Sequence, residues 1–354
     1  MTGTPLSIAD APGAAAPEPS ADVLSDVLRA VRLTGAVFLN ARFTAPFGIL
    51  SPDRFDARMP MAHLRHISIF HLIAAGGCTI ETASGQRRGL VAGDLVLLPF
   101  TRQHKFWSGE ARQMVFAPSL VRRGPLDGVW TVDHGGGGAE TRMICGFLES
   151  QEFLFAPLFR SLPEIVVEHA DDQKLGAMMS STVREAVALV EAATQGAQMM
   201  LGRIMEMLFV EVLRRHSARL PADGTGWLPA LKDPIVGRAL QQLHKDPARK
   251  WTVEDLARET GSSRSVLAER FTALLGRPPM DYVVCWRIQL AADRLRNGSS
   301  GIAAIAADVG YESEAAFSRA FKRVTGISPG RWRDGAGDSE PLMPIQLNKP
   351  LVPE

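Results

Sequence analysis

Short apolar runs separated by turn residues fill the chain between about Val37 and Ile144, and they read as β-strands. His66-Ile-Ser-Ile-Phe-His-Leu-Ile73 and Leu95-Val-Leu-Leu98 are bounded by Gly-Gly, Ser-Gly and Gly-Asp turn signals. Several strands at this spacing predict a sandwich or barrel. The Gly135–Gly138 run reads as a loop rather than a phosphate cradle, because no Lys-Ser/Thr pair or helix opening follows it. Beyond residue 175 the period lengthens to that of a helix. Val183, Val187 and Val190 share one face, as do Met200, Ile204, Leu208 and Val212, with Gly196 between the segments. This predicts an antiparallel helix pair over Leu175–Gln195 and Ala197–Ser217. The Met-rich stripe reads as core, with a subunit interface as the other reading. A second helical region follows a Pro/Gly-rich stretch at Pro221–Gly226 and runs to Arg333, after which no period is visible.

That second region contains an internal repeat. Ala257, Gly261, Ser263, Leu267, Phe271, Gly276 and Pro279 recur as Ala306, Gly310, Ser313, Phe317, Phe321, Gly326 and Pro329. Each copy predicts a short helix, a Gly-containing turn, a Ser cap and a second helix closed by Gly. Thr252 and Asp255 are placed for a capping box, and Ser263 and Ser313 for capping the helices that follow. Gly261 and Gly310 suit a turn that needs positive φ. Leu267/Phe271 and Phe317/Phe321 stand at i, i+4 and point into each core. The unit is a helix-turn-helix, and Met280–Asn297 between the copies reads as one connecting helix closed by Gly298.

Charge sharpens this picture. The chain carries a formal net charge of only +1, yet residues 232–333 hold 17 Lys+Arg against 11 Asp+Glu. The remainder holds 22 against 27, so only the repeat-bearing part is basic, as suits a polyanion partner. Asp255-Leu-Ala-Arg-Glu-Thr-Gly-Ser-Ser-Arg-Ser-Val-Leu-Ala-Glu-Arg-Phe271 and Gly310-Tyr-Glu-Ser-Glu-Ala-Ala-Phe-Ser-Arg-Ala-Phe-Lys-Arg-Val-Thr-Gly-Ile-Ser-Pro329 resemble the AraC/XylS family of bacterial transcription regulators. The resemblance covers about Asp233 to Arg333. It implies sequence-specific binding of double-stranded DNA near promoters, usually for activation, with RNA polymerase as a further partner.

Carried over by position, the resemblance presents Ser263, Arg264, Ser265, Ala268 and Glu269 to DNA from the first recognition helix. The second presents Glu314, Ala315, Ala316, Ser318 and Arg319. Arg264 and Arg319 are the leading base readers, since a guanidinium pairs bidentately with guanine O6 and N7. Ser265 and Glu269 stand where many family members carry a large or basic residue, so the first helix departs from the common pattern. Arg270, Arg287, Lys322, Arg323 and Arg331 are assigned to phosphate contacts, with a solvated surface as the plainer reading.

In the front half, Gly93-Asp-Leu-Val-Leu-Leu-Pro-Phe-Thr-Arg-Gln-His104 is similar to the second cupin motif, with Thr101 where Gly is usual. The first motif lacks its carboxylate: His63-x-x-His66 and then His71 stand in its place. Ile69 and His71 share a strand face, which aims His71 inward. The resemblance makes His71, Cys78, His104 and Cys145 a candidate pocket. Two thiols and two imidazoles suit Zn²⁺ or another borderline metal. They equally suit an effector pocket, joined by Phe70, Phe106 and Trp107, or ordinary buried packing.

The expected fold class is α+β in two domains, an N-terminal cupin-like β-barrel with a helix pair and a C-terminal all-α double helix-turn-helix. The expected boundaries are a disordered arm at 1–21, a sensor domain at 22–170 and a helix pair, with a role in homodimer formation, at 171–220. A linker at 221–232, the DNA-binding domain at 233–334 and a disordered tail at 335–354 complete the chain. Three cysteines in 354 residues exclude a disulfide scaffold and fit a reducing compartment. The start lacks the basic and apolar regions of a signal peptide, and no apolar run reaches ~20 residues. The expectation is a cytoplasmic, effector-responsive regulator without enzymatic activity; a cupin metalloenzyme with a helical appendage is the rival.

Overall fold

The computed structural model describes residues 22–31, 33–53, 67–100, 102–110, 113–150, 158–159, 161–169, 176–221 and 224–335. The expected arm, the expected tail beyond Gly335, and His63 and His66 lie outside the described residues.

Strands β1 (Leu33–Thr44), β2 (Phe47–Leu50), β3 (Ile67–Ala75), β4 (Gly77–Thr82), β5 (Arg87–Val91) and β6 (Asp94–Leu98) come first. They are followed by β7 (His104–Ser108), β8 (Val115–Phe116), β9 (Arg122–Arg123), β10 (Trp130–Gly135), β11 (Glu140–Ser150) and β12 (Val166–His169). They form two sheets, one in the order β12-β6-β3-β11-β1-β10-β9 and one in the order β5-β4-β7-β2-β8. The barrel is thus a two-sheet sandwich whose ladders do not close among the described residues. Between the sheets lies an apolar core that includes Phe43, Phe47, Ile69, Ile73, Ile80, Phe106 and Met143. The larger sheet is covered outside as well, which is why β3 reads as a continuous apolar run rather than an alternating one. Its Phe70 and Leu72 face away from the sandwich and join a second cluster.

That second cluster unites several elements. Helices α1 (Val23–Val31), α2 (Gly176–Ala192) and α3 (Ala197–Arg219) lie among them. The helix pair turns at Gly196, whose φ is 80°. α3 crosses β1 so closely that a Cβ built on Gly202 would stand 2.5 Å from the carbonyl oxygen of Gly35. The buried face of α3 consists of Ala197, Leu201, Met205, Leu208, Phe209, Val212 and Leu213. The expected stripe is therefore wrong at its start: Met200 is 50% exposed, beside Met199, Met207 and Val210. Residues four apart drift ~40° per step at 3.6 residues per turn, so Met200 and Val212 cannot share one face.

Within the expected linker lies α4 (Trp227–Ala230), all four residues of which are buried. Helices α5 (Val236–Lys245), α6 (Val253–Thr260), α7 (Arg264–Leu275), α8 (Pro279–Asn297), α9 (Ile302–Asp308), α10 (Glu314–Thr325) and α11 (Pro329–Arg333) follow. Leu267 and Phe271 of the first unit belong to the cluster shared with α1 and α3. Phe317 and Phe321 of the second unit sit in a separate core with Ile288, Leu295 and Trp332. The two units thus share the helix α8 but not one interior.

Candidate functional site

Both helix-turn-helix units form from local chemistry. Thr252 and Asp255 close a capping box on α6, and Gly261 ends that helix at φ 66°. The Ser263 hydroxyl accepts from Val266 N–H at 3.3 Å, and the Ser313 hydroxyl from Ala316 N–H at 3.2 Å. The caps fix where each second helix begins, and so which residues stand at its exposed start. On α7, Ser263, Arg264, Ser265 and Glu269 are exposed and Ala268 is half-buried. On α10, Glu314, Ala315 and Arg319 are exposed, while Ala316 and Ser318 are half-buried. Arg264 pairs with exposed Glu254, whereas Arg319 has no ion-pair partner among the described residues.

The basic residues assigned to phosphate divide into two groups. Lys322, Arg323 and Arg331 are exposed on α10 and α11. Arg270 is half committed, since its Nε donates to Asp233 at 2.6 Å. Burial pushes the Asp233 carboxyl up, but Val236 N–H and Arg270 more than offset it and hold it below the usual range. Arg287 is a correction. Its guanidinium donates to the carbonyl oxygens of Pro247 (2.7 Å), Arg249 (2.7 Å), Gly310 (3.2 Å) and Ala248 (3.4 Å). Burial lowers its pKa, and Tyr311 lies 5.8 Å beneath it. Facing inward, Arg287 ties the loop before the first unit to the turn of the second. At that turn a Cβ on Gly310, at φ 88°, would meet Ala248 O at 2.5 Å. Lys250 and Glu312 add an exposed ion pair across the same junction.

In the sandwich, strand register assembles the pocket residues. Cys145 on β11 pairs directly with His71 on β3. Across the interior His104 opens β7 beside Ser51, which follows β2. His71 Nδ1 lies 3.0 Å from Cys145 Sγ and its Nε2 lies 3.1 Å from His104 Nε2. His104 Nδ1 is 2.9 Å from Arg102 O and 2.9 Å from Ser51 Oγ. His71, His104 and Cys145 line a cavity of about 70 Å³ with Phe38, Phe43, Phe106 and Trp130. Cys78 is buried between the same sheets but is not on the cavity wall. Of the expected aromatic trio only Phe106 lines it; strand alternation sends Phe70 and Trp107 the other way.

Burial and the neighbouring His104 hold the His71 pKa well below its ordinary value, and burial brings that of His104 down to about 4. Burial likewise pushes the Cys145 thiol far up and the Cys78 thiol up to about 12. The cluster is neutral. Its donors do not converge on one point: His104 stands at His71 Nε2 and Cys145 at His71 Nδ1, so the three cannot share one ion as placed. Among the described residues no group of three or more His, Cys, Asp or Glu side chains is placed to hold an ion.

One contact escaped the sequence reading. Val23, Val27 and Ala30 of α1 are buried, and the helix packs on α5 and α8 of the C-terminal half. Gln289 Nε2, fully buried, donates to Ala30 O at 2.9 Å, and His244 Nδ1 stands 3.8 Å from Asp26. The i, i+4, i+7 spacing of those apolar residues was the available signal.

Residues 22–218 match a family described as Cupin, and residues 256–335 one described as Helix-turn-helix domain. An AraC-like transcription regulator of Streptomyces lividans is 34% identical over 340 residues, 92% of this chain and 100% of that one. The HTH-type transcriptional regulator AlkR of Acinetobacter baylyi is 31% identical over 75% of this chain and 87% of its own length. Among solved structures, ToxT of Vibrio cholerae covers 85% of this chain and 97% of that one at 12% identity and a TM-score of 0.33, too slight a likeness to transfer detail.

Proposed function

The chain belongs to the AraC-like transcription regulators, with a cupin domain ahead of its DNA-binding helix-turn-helix domain, and from that premise we propose that it is an effector-responsive activator reading two successive major grooves. The observation that carries this reading is the pair of capped hairpins with exposed starts on α7 and α10, joined by α8 and by the Arg287 hydrogen bonds. Two heads fixed in this way suit half-sites one helical turn (~34 Å) apart. Ser263, Arg264, Ser265, Ala268 and Glu269 face the first groove; Glu314, Ala315, Ala316, Ser318 and Arg319 face the second. Lys322, Arg323, Arg331 and the exposed part of Arg270 hold phosphates. Arg319 leads, because its guanidinium is exposed and uncommitted among the described residues.

Residues 22–170 act as sensor rather than enzyme, 171–220 as a homodimer contact and 233–334 as the reading domain, working in the cytoplasm with RNA polymerase. A small molecule in the sandwich shifts the population of arrangements open to the reading heads. The exposed Met199, Met200, Met207 and Val210 on α3 support the dimer contact. The α1 contact with α5 and α8 supports transmission from sensor to reading domain. Arg319→Glu tests the assignment. It lowers affinity for the specific site by at least ~100-fold, one lost bidentate pair plus repulsion, while the melting temperature barely moves. Unchanged affinity removes Arg319 from the interface.

A further inference from the structure

Charge and hydrogen bonding together select a class of ligand for this cavity. None of the described residues lining the cavity is Asp, Glu, Lys or Arg. Both histidines are neutral and both thiols protonated for the reasons given above. A carboxylate or ammonium entering here loses its water and meets no opposite charge among the described residues.

The hydrogen bonds have one direction. The Arg102 carbonyl only accepts, so His104 Nδ1 carries the proton that points at it. His104 Nε2 is then an acceptor, and His71 Nε2–H donates to it. His71 Nδ1 in turn accepts the Cys145 thiol proton. Every imidazole nitrogen is thus committed within the relay. Ser51 Oγ accepts from the His104 backbone N–H at 2.8 Å and faces the proton on Nδ1. Its own hydroxyl proton has no acceptor among the described residues, and Ser51 lines the cavity.

We infer that the cavity takes an uncharged, single-ring or similarly compact apolar molecule bearing one oxygen acceptor, which receives the Ser51 hydroxyl proton. The inference rests on the effector-sensing reading and narrows it to a ligand class. Aromatic walls (Phe38, Phe43, Phe106 and Trp130) enclose the apolar body, and the relay holds Ser51 in place rather than contacting charge.

Calorimetric titration of the full chain with acetophenone, ethylbenzene and benzoate tests it. The three share a ring and differ in acceptor and charge. Acetophenone binds about 5–10-fold tighter than ethylbenzene, the worth of one neutral hydrogen bond. Benzoate binds at least ~100-fold more weakly than acetophenone, because its charge is desolvated without a partner. Ser51→Ala brings acetophenone to the level of ethylbenzene, and each variant's ratio is internal, so a lower melting temperature does not obscure it. The ranking in the unaltered protein decides the matter if that variant fails to fold. Benzoate binding as well as acetophenone overturns the inference, as does a Ser51→Ala ratio equal to the wild type or binding of none of the three. The same ligands are added to a DNA-affinity assay. If acetophenone binds in the expected rank but leaves DNA affinity unchanged, the sensing reading fails and the ligand class stands. If benzoate alone alters DNA affinity, the ligand class fails and sensing stands.

Discussion

Arg287 offers the sharpest perturbation, because its two roles predict opposite results for a conservative change. As a phosphate contact it would need only positive charge, and Arg287→Lys would keep most of the affinity. As a clamp it needs a planar fork reaching four carbonyl oxygens, two of them at 2.7 Å. A hydrogen bond from a charged donor contributes about 1.5–3 kcal/mol. The site is half-buried, and a water molecule can replace the longer contacts, so the whole clamp contributes about 3 kcal/mol. Lys can satisfy at most part of this set, and Ala none. Urea unfolding therefore shows both Arg287→Lys and Arg287→Ala destabilised, by ~2 and ~3 kcal/mol. Gel shifts provide the functional arm. Each variant keeps its affinity for DNA carrying one half-site and loses at least ~10-fold for DNA carrying two, because the second head is no longer held in register. Arg287→Lys matching the wild type in both assays would refute the clamp and restore the phosphate assignment.

Two further perturbations address the sandwich and its helix. His104 ordinarily titrates near 6.5 and is brought to about 4 by burial. Below pH 6.5 the unfolded chain takes up this proton and the folded chain does not, so stability present above that pH is lost as pH falls towards 4. Each such histidine steepens the loss by about 1.4 kcal/mol per pH unit. His104→Asn consequently shows a shallower stability–pH profile between pH 6.5 and 4, measured by urea unfolding; an unchanged slope contradicts a neutral buried His104. Gly202→Ala puts a Cβ 2.5 Å from Gly35 O, a backbone group in the part of β1 that pairs with β11. Overpacking outweighs the ~1 kcal/mol gain in helix propensity and lowers stability by about 1–2 kcal/mol; a higher melting temperature would show that α3 and β1 can separate freely.

The reading heads were legible because what makes them is local. Ser263 and Ser313 cap within three residues, Gly261 and Gly310 turn within one, and Leu267/Phe271 and Phe317/Phe321 lie one helical turn apart. Duplication then showed that the pattern was no accident of one helix. What depended on distant partners was not legible. Arg287 looks in sequence like any basic residue on a connecting helix, and only the loop at 247–249 and the turn at Gly310 give its guanidinium a destination. The Met stripe misled because a four-residue spacing was followed for three turns, across which the face rotates by ~120°. Trp227–Ala230 was hidden by the Pro/Gly-rich stretch just before it. In the pocket, strand alternation aimed His71 correctly, and the β3–β11 register that sets Cys145 opposite it is a tertiary fact. Nothing local separated Cys145 on the cavity wall from Cys78 behind it.

In the proposed mode of binding, α7 and α10 read one DNA site together. Selection of genomic fragments by the purified full-length protein, at one stated moderate salt concentration, tests it most directly, since affinity varies steeply with salt. Joint reading enriches a motif with two half-sites about one helical turn (~10 base pairs) apart, and Arg319→Glu loses the second half-site's preference. Enrichment of a single half-site only, or of no sequence at all, would contradict it.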